Sequence, residues 1–268
     1  MIRNTFIFQQ IKKDFLWDYS YKISFYGQFA GMLLTLITFF FLSKTFEANQ
    51  SIHLESYENN YFLFSIVGIA FLDHFSILIR SLSNSIRNAQ AFGYIDSLLN
   101  TQRKTIFIML YMLVYPYLKG NLKFIIYLYL SSLISSFSIS LSTYLFASLL
   151  LFLSSLFFLG IAFLSASFVL IYKQADPINY LSNVLISLFS GVIYPITVLP
   201  DNLQIISNII PATYSLELLR EIIFFGNFSF NIDLINVIFI PIGVIIASFI
   251  IFNFAITVVK RDGSSGKY

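Results

Sequence analysis

Cysteine is absent from this chain, which excludes disulfides, thiol catalysis and thiolate metal sites. Histidine occurs twice, at His53 and His74, too few for a histidine-based metal site. No metal centre is expected. Charge is scarce: 11% of residues are Asp, Glu, Lys or Arg, where a water-soluble domain carries about 25%. So few charges cannot cover a water-facing surface, and most of the surface is expected to meet lipid. Tryptophan occurs once, against 32 Phe and 17 Tyr. No phosphate-binding loop is present, because Gly263-Ser-Ser-Gly266-Lys267 is too short in spacing and lacks a flanking strand and helix. ATP hydrolysis by this chain is thereby excluded. Neither a Ser–His–acid set nor a pair of carboxylates in one pocket can be drawn, so no catalytic residue is assigned.

What the 268 residues do contain is long apolar runs. Hydrophobic residues make up 57% of the sequence, and the mean hydropathy is +0.80. About 20 apolar residues cross a bilayer as a helix. Six runs meet that length, at about 23–43, 61–79, 124–142, 145–172, 180–199 and 234–259. The expected fold is all-α: one polytopic membrane domain over 1–268, without an internal repeat. The Ser-rich stretch from Ser131 to Ser142 falls within the third run, and its hydroxyls are expected to bond to the preceding turn or a neighbouring helix. Asp73 and His74 lie near the end of the second run. Ionisable residues at membrane depth point to function by default, although a structural role with Arg80 nearby is favoured here.

Ile106 to Leu118 is apolar but too short to cross. Counting it as a span would give seven crossings. With six, and both termini cytoplasmic, most basic residues collect on the inner side, from Arg3, Lys12 and Lys13 to Lys260 and Arg261. Only Lys44 and Arg220 remain outside, with Glu47, Glu55, Glu58, Asp201, Glu217, Glu221 and Asp233. That is the positive-inside pattern, so Ile106–Leu118 is expected to be an interfacial or bent lead-in to the third span. The predicted location is the cell (inner) membrane. A nucleic-acid partner is not expected.

The first 22 residues lack the short uninterrupted apolar core of a signal peptide, since Asp14 and Asp18 break it. On a helix, Ile7, Phe8, Ile11 and Phe15 share a face that excludes Gln10, Lys12 and Lys13. This spacing predicts an amphipathic helix lying on the inner leaflet among membrane lipids. A loosely ordered basic tail is the alternative.

Two polar interruptions carry the remaining signal. Between the second and third runs, Arg80–Thr105 is too polar to span and places Ile95, Leu98 and Leu99 at helical spacing. A short amphipathic helix at the cytoplasmic surface is expected there, as in many six-span proteins. The second interruption ends the fifth run. Phe189-Ser-Gly191 leads to Pro195, Leu199-Pro200 and Ile210-Pro211, then Tyr214, Glu217, Arg220 and Glu221. A spanning helix cannot continue smoothly through these prolines. Carbonyls freed at membrane depth must be buried in protein or face a wet cavity. Leu203–Ile210 is expected to dip into the outer leaflet and return. Glu217, Arg220 and Glu221 at i, i+3 and i+4 can pair locally, either as a solvated face or as a cluster sealing the outer end of a path.

Together these segments resemble ABC-2-type exporter permeases. The inner segment has an arginine (Arg87), then Gly93-Tyr94-Ile95-Asp96, then Leu98-Leu99 and Thr101. The family pattern has threonine where Tyr94 stands and proline where Gln102 stands. The outer segment has Ser190-Gly191, Pro195, Leu199-Pro200, Ile210-Pro211, Tyr214 and Arg220, with Ile210 in place of the usual asparagine. The motifs cover residues 87 to 225, and the topology covers the whole chain. The resemblance implies a permease subunit without activity as an enzyme. It implies that Arg87 and Gly93–Thr101 form a helix docking on a separate ABC ATPase subunit, which binds ATP and Mg. It also implies a second permease subunit, an identical copy by preference. An amphipathic or apolar compound, drug-like or lipid, is the implied cargo, with a lipid-linked polysaccharide as the alternative. A different class, an ATP-independent channel or membrane-embedded enzyme, remains the competing reading.

Overall fold

The computed structural model describes residues 2–47, 54, 57, 59–100, 105–135, 137–173, 177–226 and 232–261. Among them there are ten α-helices and no strand: α1 Ile2–Ser20, α2 Lys22–Glu47, α3 Tyr61–Ala91, α4 Ile95–Leu99, α5 Thr105–Ser135, α6 Leu141–Tyr172, α7 Pro177–Phe189, α8 Asp201–Ser207, α9 Pro211–Phe225 and α10 Ile232–Arg261. Four are long and apolar enough to cross a membrane, within α2, α3, α6 and α10. The expected runs at 23–43, 61–79, 145–172 and 234–259 fall in these four.

Three expected boundaries move. The second run's helix does not stop at 79. It continues to Ala91, because Leu82, Ile86 and Ala89 keep one face of the polar extension buried while Arg80, Asn84 and Asn88 face outward. The third run does not reach 142. Its helix ends at Ser135, residues 137–140 are not helical, and Ser140 caps α6 by accepting from the Thr143 amide at 3.2 Å. Serine competes for backbone hydrogen bonds and favours such caps. Within α5 the hydroxyls of Ser131 and Ser135 do bond to the preceding turn, on Leu128 O and Ser131 O. The fifth run's helix, α7, ends at Phe189, ten residues before 199. Glycine at 191 and proline at 195 prevent its continuation.

The lead-in Ile106–Leu118 is part of α5 itself and runs through Pro116. α3 and α5 pair antiparallel, with Asp73 against Lys123, His74 against Gly120, and Asn60 close to Ser135 at one end. Each has 31 residues, which is about 46 Å of helix against a hydrocarbon core of about 30 Å. Each helix of the hairpin is therefore longer than a hydrocarbon core is thick. α6 lies against α3 and α10, with Phe158 stacked on Phe75 at 3.7 Å between ring centroids. α9 is enclosed by α6, α10 and α3.

α1 is a single helix, as its spacing predicts. Gln10, Asp14 and Asp18 turn inward, and Phe8, Phe15, Leu16 and Trp17 are exposed. Lys119 of α5 reaches Asp18 at 2.6 Å, and the Tyr115 hydroxyl donates to the same carboxylate at 2.7 Å. Of the two acids that interrupt the apolar pattern, Asp18 thus forms the seam with the bundle, and Asp14 pairs within α1 with Lys13 and Gln10.

Gly120 sets how closely α3 and α5 approach. A Cβ there would stand 2.6 Å from His74 Nδ1 and 3.1 Å from the His74 carbonyl oxygen. The variant Gly120→Val should lower stability by about 1–3 kcal/mol, read as a drop in melting temperature of the detergent-solubilised protein. An unchanged melting temperature would contradict this packing.

Candidate functional site

The inner polar segment is a rigid corner. α3 ends when the Phe92 amide bonds to Asn88 O at 2.9 Å and Gly93 takes φ +73°, a conformation that costs a non-glycine residue energy. The Tyr94 amide then returns to Ala89 O at 3.0 Å, and α4 follows. Ile95 and Leu99 are buried, and Leu98 packs on the core. Gln90 donates to Leu170 O at 3.1 Å, and Lys260 donates to Leu99 O at 3.1 Å. The corner is thereby tied to the ends of α6 and α10. Outward it presents Phe92 at 68% exposure, Tyr94 at 44%, and Asp96. Burial against the bundle, with Asp14 nearby, pushes the Tyr94 phenol above its usual range. Arg87 is half-buried on α3. Thr101 lies outside the described residues.

The outer break is built from the prolines upward. After α7, Ser190 and Val192 are buried and Gly191 takes φ +71°. Pro195 precedes a single 3-10 turn at Ile196–Val198, Pro200 precedes α8, and Pro211 opens α9, the position where proline lacks no needed donor. Two tyrosines close the loops: Tyr194 donates to Leu188 O at 2.7 Å, and Tyr214 donates to Asn208 O at 2.6 Å.

Arg220 holds this break together. It is 2% exposed. Its Nη2 donates to Val192 O at 3.0 Å and to Phe64 O at 3.1 Å, and its guanidinium carbon lies 3.4 Å from the Phe64 ring centroid. Tyr57 borders it at 5.9 Å. The i, i+3, i+4 spacing left two readings, a solvated face and a charge cluster with Glu217 and Glu221. The structure directs Arg220 Nη2 at backbone oxygens, and the exposed Glu217 carboxylate on the same helix stays within electrostatic reach of the guanidinium. Gly68 completes the arrangement, since a Cβ there would overlap the Val192 carbonyl oxygen and stand 2.9 Å from Arg220 Nη2.

Between these two regions, α3 and α7 enclose an open groove of about 610 Å³, with Asp73, Ser76, Arg80, Asn179, Asn183 and Ser187 on its walls beside Ile69, Leu72 and Val184. Asp73 is paired with Lys123 of α5 at 2.5 Å, not with Arg80. Ser76 hydrogen-bonds to Asn183 across the groove. His74 is buried against Gly120 with its ring edge-on to Tyr117, which makes it a packing residue.

Sequence reasoning missed Gly68, Lys123 and Asn183. The spacing of Lys119 and Lys123 at i and i+4 was the available signal. Two lysines on one face of a membrane helix each require an anion, and Asp18 and Asp73 supply them.

Among known protein families, the ABC-2 type transporter family matches this chain over residues 7–224. No individual curated protein matches it.

Replacing Arg220 by Leu removes the donor from two carbonyls beside the break, and each unmet hydrogen bond costs about 1–3 kcal/mol. Arg220→Leu should therefore lower the melting temperature clearly, and Arg220→Lys should fall between, because an ammonium keeps charge but loses the planar fork. Wild-type melting in Arg220→Leu would show that the bonds to Val192 and Phe64 do not hold the break.

Proposed function

We propose, because this chain belongs to the ABC-2 type transporter family, that it is the membrane-spanning half of an ATP-driven exporter. The family works as a transport subunit beside ABC ATPases and is not itself catalytic. In this reading α2, α3, α5, α6, α7 and α10 make six passes with both termini in the cytoplasm of a cell whose inner membrane holds the protein. The segment from α8 to α9 enters and leaves the outer leaflet. A second permease subunit, an identical copy, completes the path. ATP and Mg bind on the ATPase, and their closure pushes the corner at Gly93.

The observation that carries the docking role is the corner's construction. Ile95 and Leu99 anchor it in the core, so force on it reaches α3, while Phe92 and Tyr94 stay exposed beyond the bilayer-length part of the hairpin. A free surface helix without such anchoring would transmit nothing.

The groove between α3 and α7 favours an amphipathic compound as cargo over a wholly apolar one. Its walls offer amides, hydroxyls, one carboxylate and one guanidinium beside aliphatic surface. Sites of this kind use a few placed polar groups to orient a largely apolar ligand. A lipid-linked polysaccharide fits the same polar stripe and is the second reading.

Docking is tested by purifying the chain from its native cell and identifying the ATPase subunits that come with it by mass. The double variant Phe92→Asp, Tyr94→Asp should lose at least about tenfold in association, the equivalent of about 1.4 kcal/mol, with its melting temperature kept. Leu99→Asp, which buries a charge, should instead lower the melting temperature. Full retention of the ATPase by the double variant would remove this corner as the docking site, and labelling of Tyr94 from outside the cell would overturn the topology.

A further inference from the structure

We infer that the cavity between α1, α3 and α5 binds the phosphate-bearing headgroup of an anionic lipid from the cytoplasmic leaflet, with Arg80 as the anion anchor. The site rests on the reading above, in which α1 lies on that leaflet, and it deepens that reading by naming a substrate class. The cavity holds about 730 Å³ and is lined largely by polar and charged side chains. Its α1 wall carries Lys13, Asp14, Trp17 and Asp18, and its α5 wall carries Tyr115 and Lys119.

The charges in this cavity are not equivalent. Lys119 is engaged by Asp18 at 2.6 Å, and Lys13 by Asp14 at 3.3 Å. Asp14 and Asp18 are thus satisfied by lysines, with Gln10 and Tyr115 adding hydrogen bonds at 2.9 and 2.7 Å. Arg80 is exposed, and among the described residues it has no carboxylate partner. One and two turns further along the same face stand Asn84 and Asn88, both exposed, whose amides are donors. An unpaired guanidinium with two amides in line is the donor set a phosphate requires, and arginine binds phosphate through two parallel N–H bonds.

Arg80 and Ile77 also line the groove between α3 and α7. The anchor therefore stands where the two spaces meet. A lipid held by its headgroup at Arg80 has its chains beside the exposed apolar side of α1, where Phe15, Leu16 and Trp17 face outward. Passing to the groove requires a shift around one side chain, without release of the anion into water.

Trp17 is the only tryptophan of the sequence and lines this cavity, so its fluorescence reports occupancy. The full chain is placed in phosphatidylcholine nanodiscs containing increasing fractions of phosphatidylglycerol. A saturable change in Trp17 emission is expected with phosphatidylglycerol and none with phosphatidylcholine alone. Arg80→Gln should raise the half-saturating fraction about tenfold. The pair Asn84→Ala, Asn88→Ala should raise it by a smaller factor, and Arg80→Lys should restore part of the loss. Lys12→Gln, an exposed cation of α1 outside the cavity, should change nothing. Equal weakening by Lys12→Gln and Arg80→Gln would reduce the effect to surface charge and overturn the site. A saturable response to inorganic phosphate in phosphatidylcholine discs would overturn the lipid source. Binding is read without the ATPase, so this site can fail while ATPase association holds, and the reverse.

Discussion

A helix broken against an apolar bundle must find hydrogen-bond donors within the protein, and in this fold Arg220 donates to the break at Val192 O. Prolines at 195, 200 and 211 and glycine at 191 turn the chain back after α7. The guanidinium donates to one carbonyl of the break, Val192 O, and to Phe64 O of the intact helix α3, which ties the two together. Its remaining charge is met by the faces of Phe64 and Tyr57, where a cation over an aromatic ring in a dry site gains about 2 kcal/mol. Gly68 belongs to the same constraint. Only a residue without a Cβ lets Val192 O reach α3 closely enough for one guanidinium to serve both elements.

Two half-buried ion pairs fix the other helices. Lys119 and Lys123 stand one turn apart on α5, and each is neutralised by a different helix, Asp18 of α1 and Asp73 of α3. Breaking one partner of a poorly solvated pair leaves an uncompensated charge, which costs more than the intact pair contributes. The pairs therefore act as registers. They fix where α1 lies along α5 and how far α3 slides against α5, and the first of them also shapes the cavity that Arg80 faces. Arg80 is left out of this pairing and remains exposed between two polar spaces.

Much of this architecture was legible in the sequence. The apolar runs identified α2, α6 and α10, and the prolines with Gly191 marked the break. What stayed hidden has a common physical cause. Partners such as Asp18 and Lys119 lie 101 residues apart, and helical periodicity carries no information about contacts at that distance. Asp18 therefore reads as an interruption of an apolar pattern when it is the seam with α5. The i, i+3, i+4 spacing of 217, 220 and 221 describes neighbours on one helix and left a solvated face and a charge cluster both open. It carried no sign of Phe64, whose carbonyl oxygen and ring both meet Arg220. Hydropathy also ended the second run at Ile79, since it counts polar residues without knowing which face they occupy. Leu82, Ile86 and Ala89 keep the helix going to Ala91.

In the proposed docking role, that extension makes α3 the element that would carry a push from the corner. It is one helix from the Phe64 and Gly68 contacts beside the break to the Gly93 corner, and Gly68 and Ala91 are about 35 Å apart along it. No proline interrupts α3, whereas α5 and α10 contain Pro116 and Pro241. A push on Phe92 and Tyr94 meets Ile95 and Leu99 anchored in the core and passes into this uninterrupted rod. At the far end the rod does not touch a flexible loop. It touches a carbonyl held by a shared guanidinium. Displacing α3 by even a fraction of an ångström lengthens one of two bonds made by the same nitrogen, so the break must either follow α3 or lose its donor. The Asp73–Lys123 pair and the Ser76–Asn183 bond lie along the same rod, between its two ends. Any motion that reaches Gly68 from the corner therefore passes through the walls of the α3–α7 groove on the way.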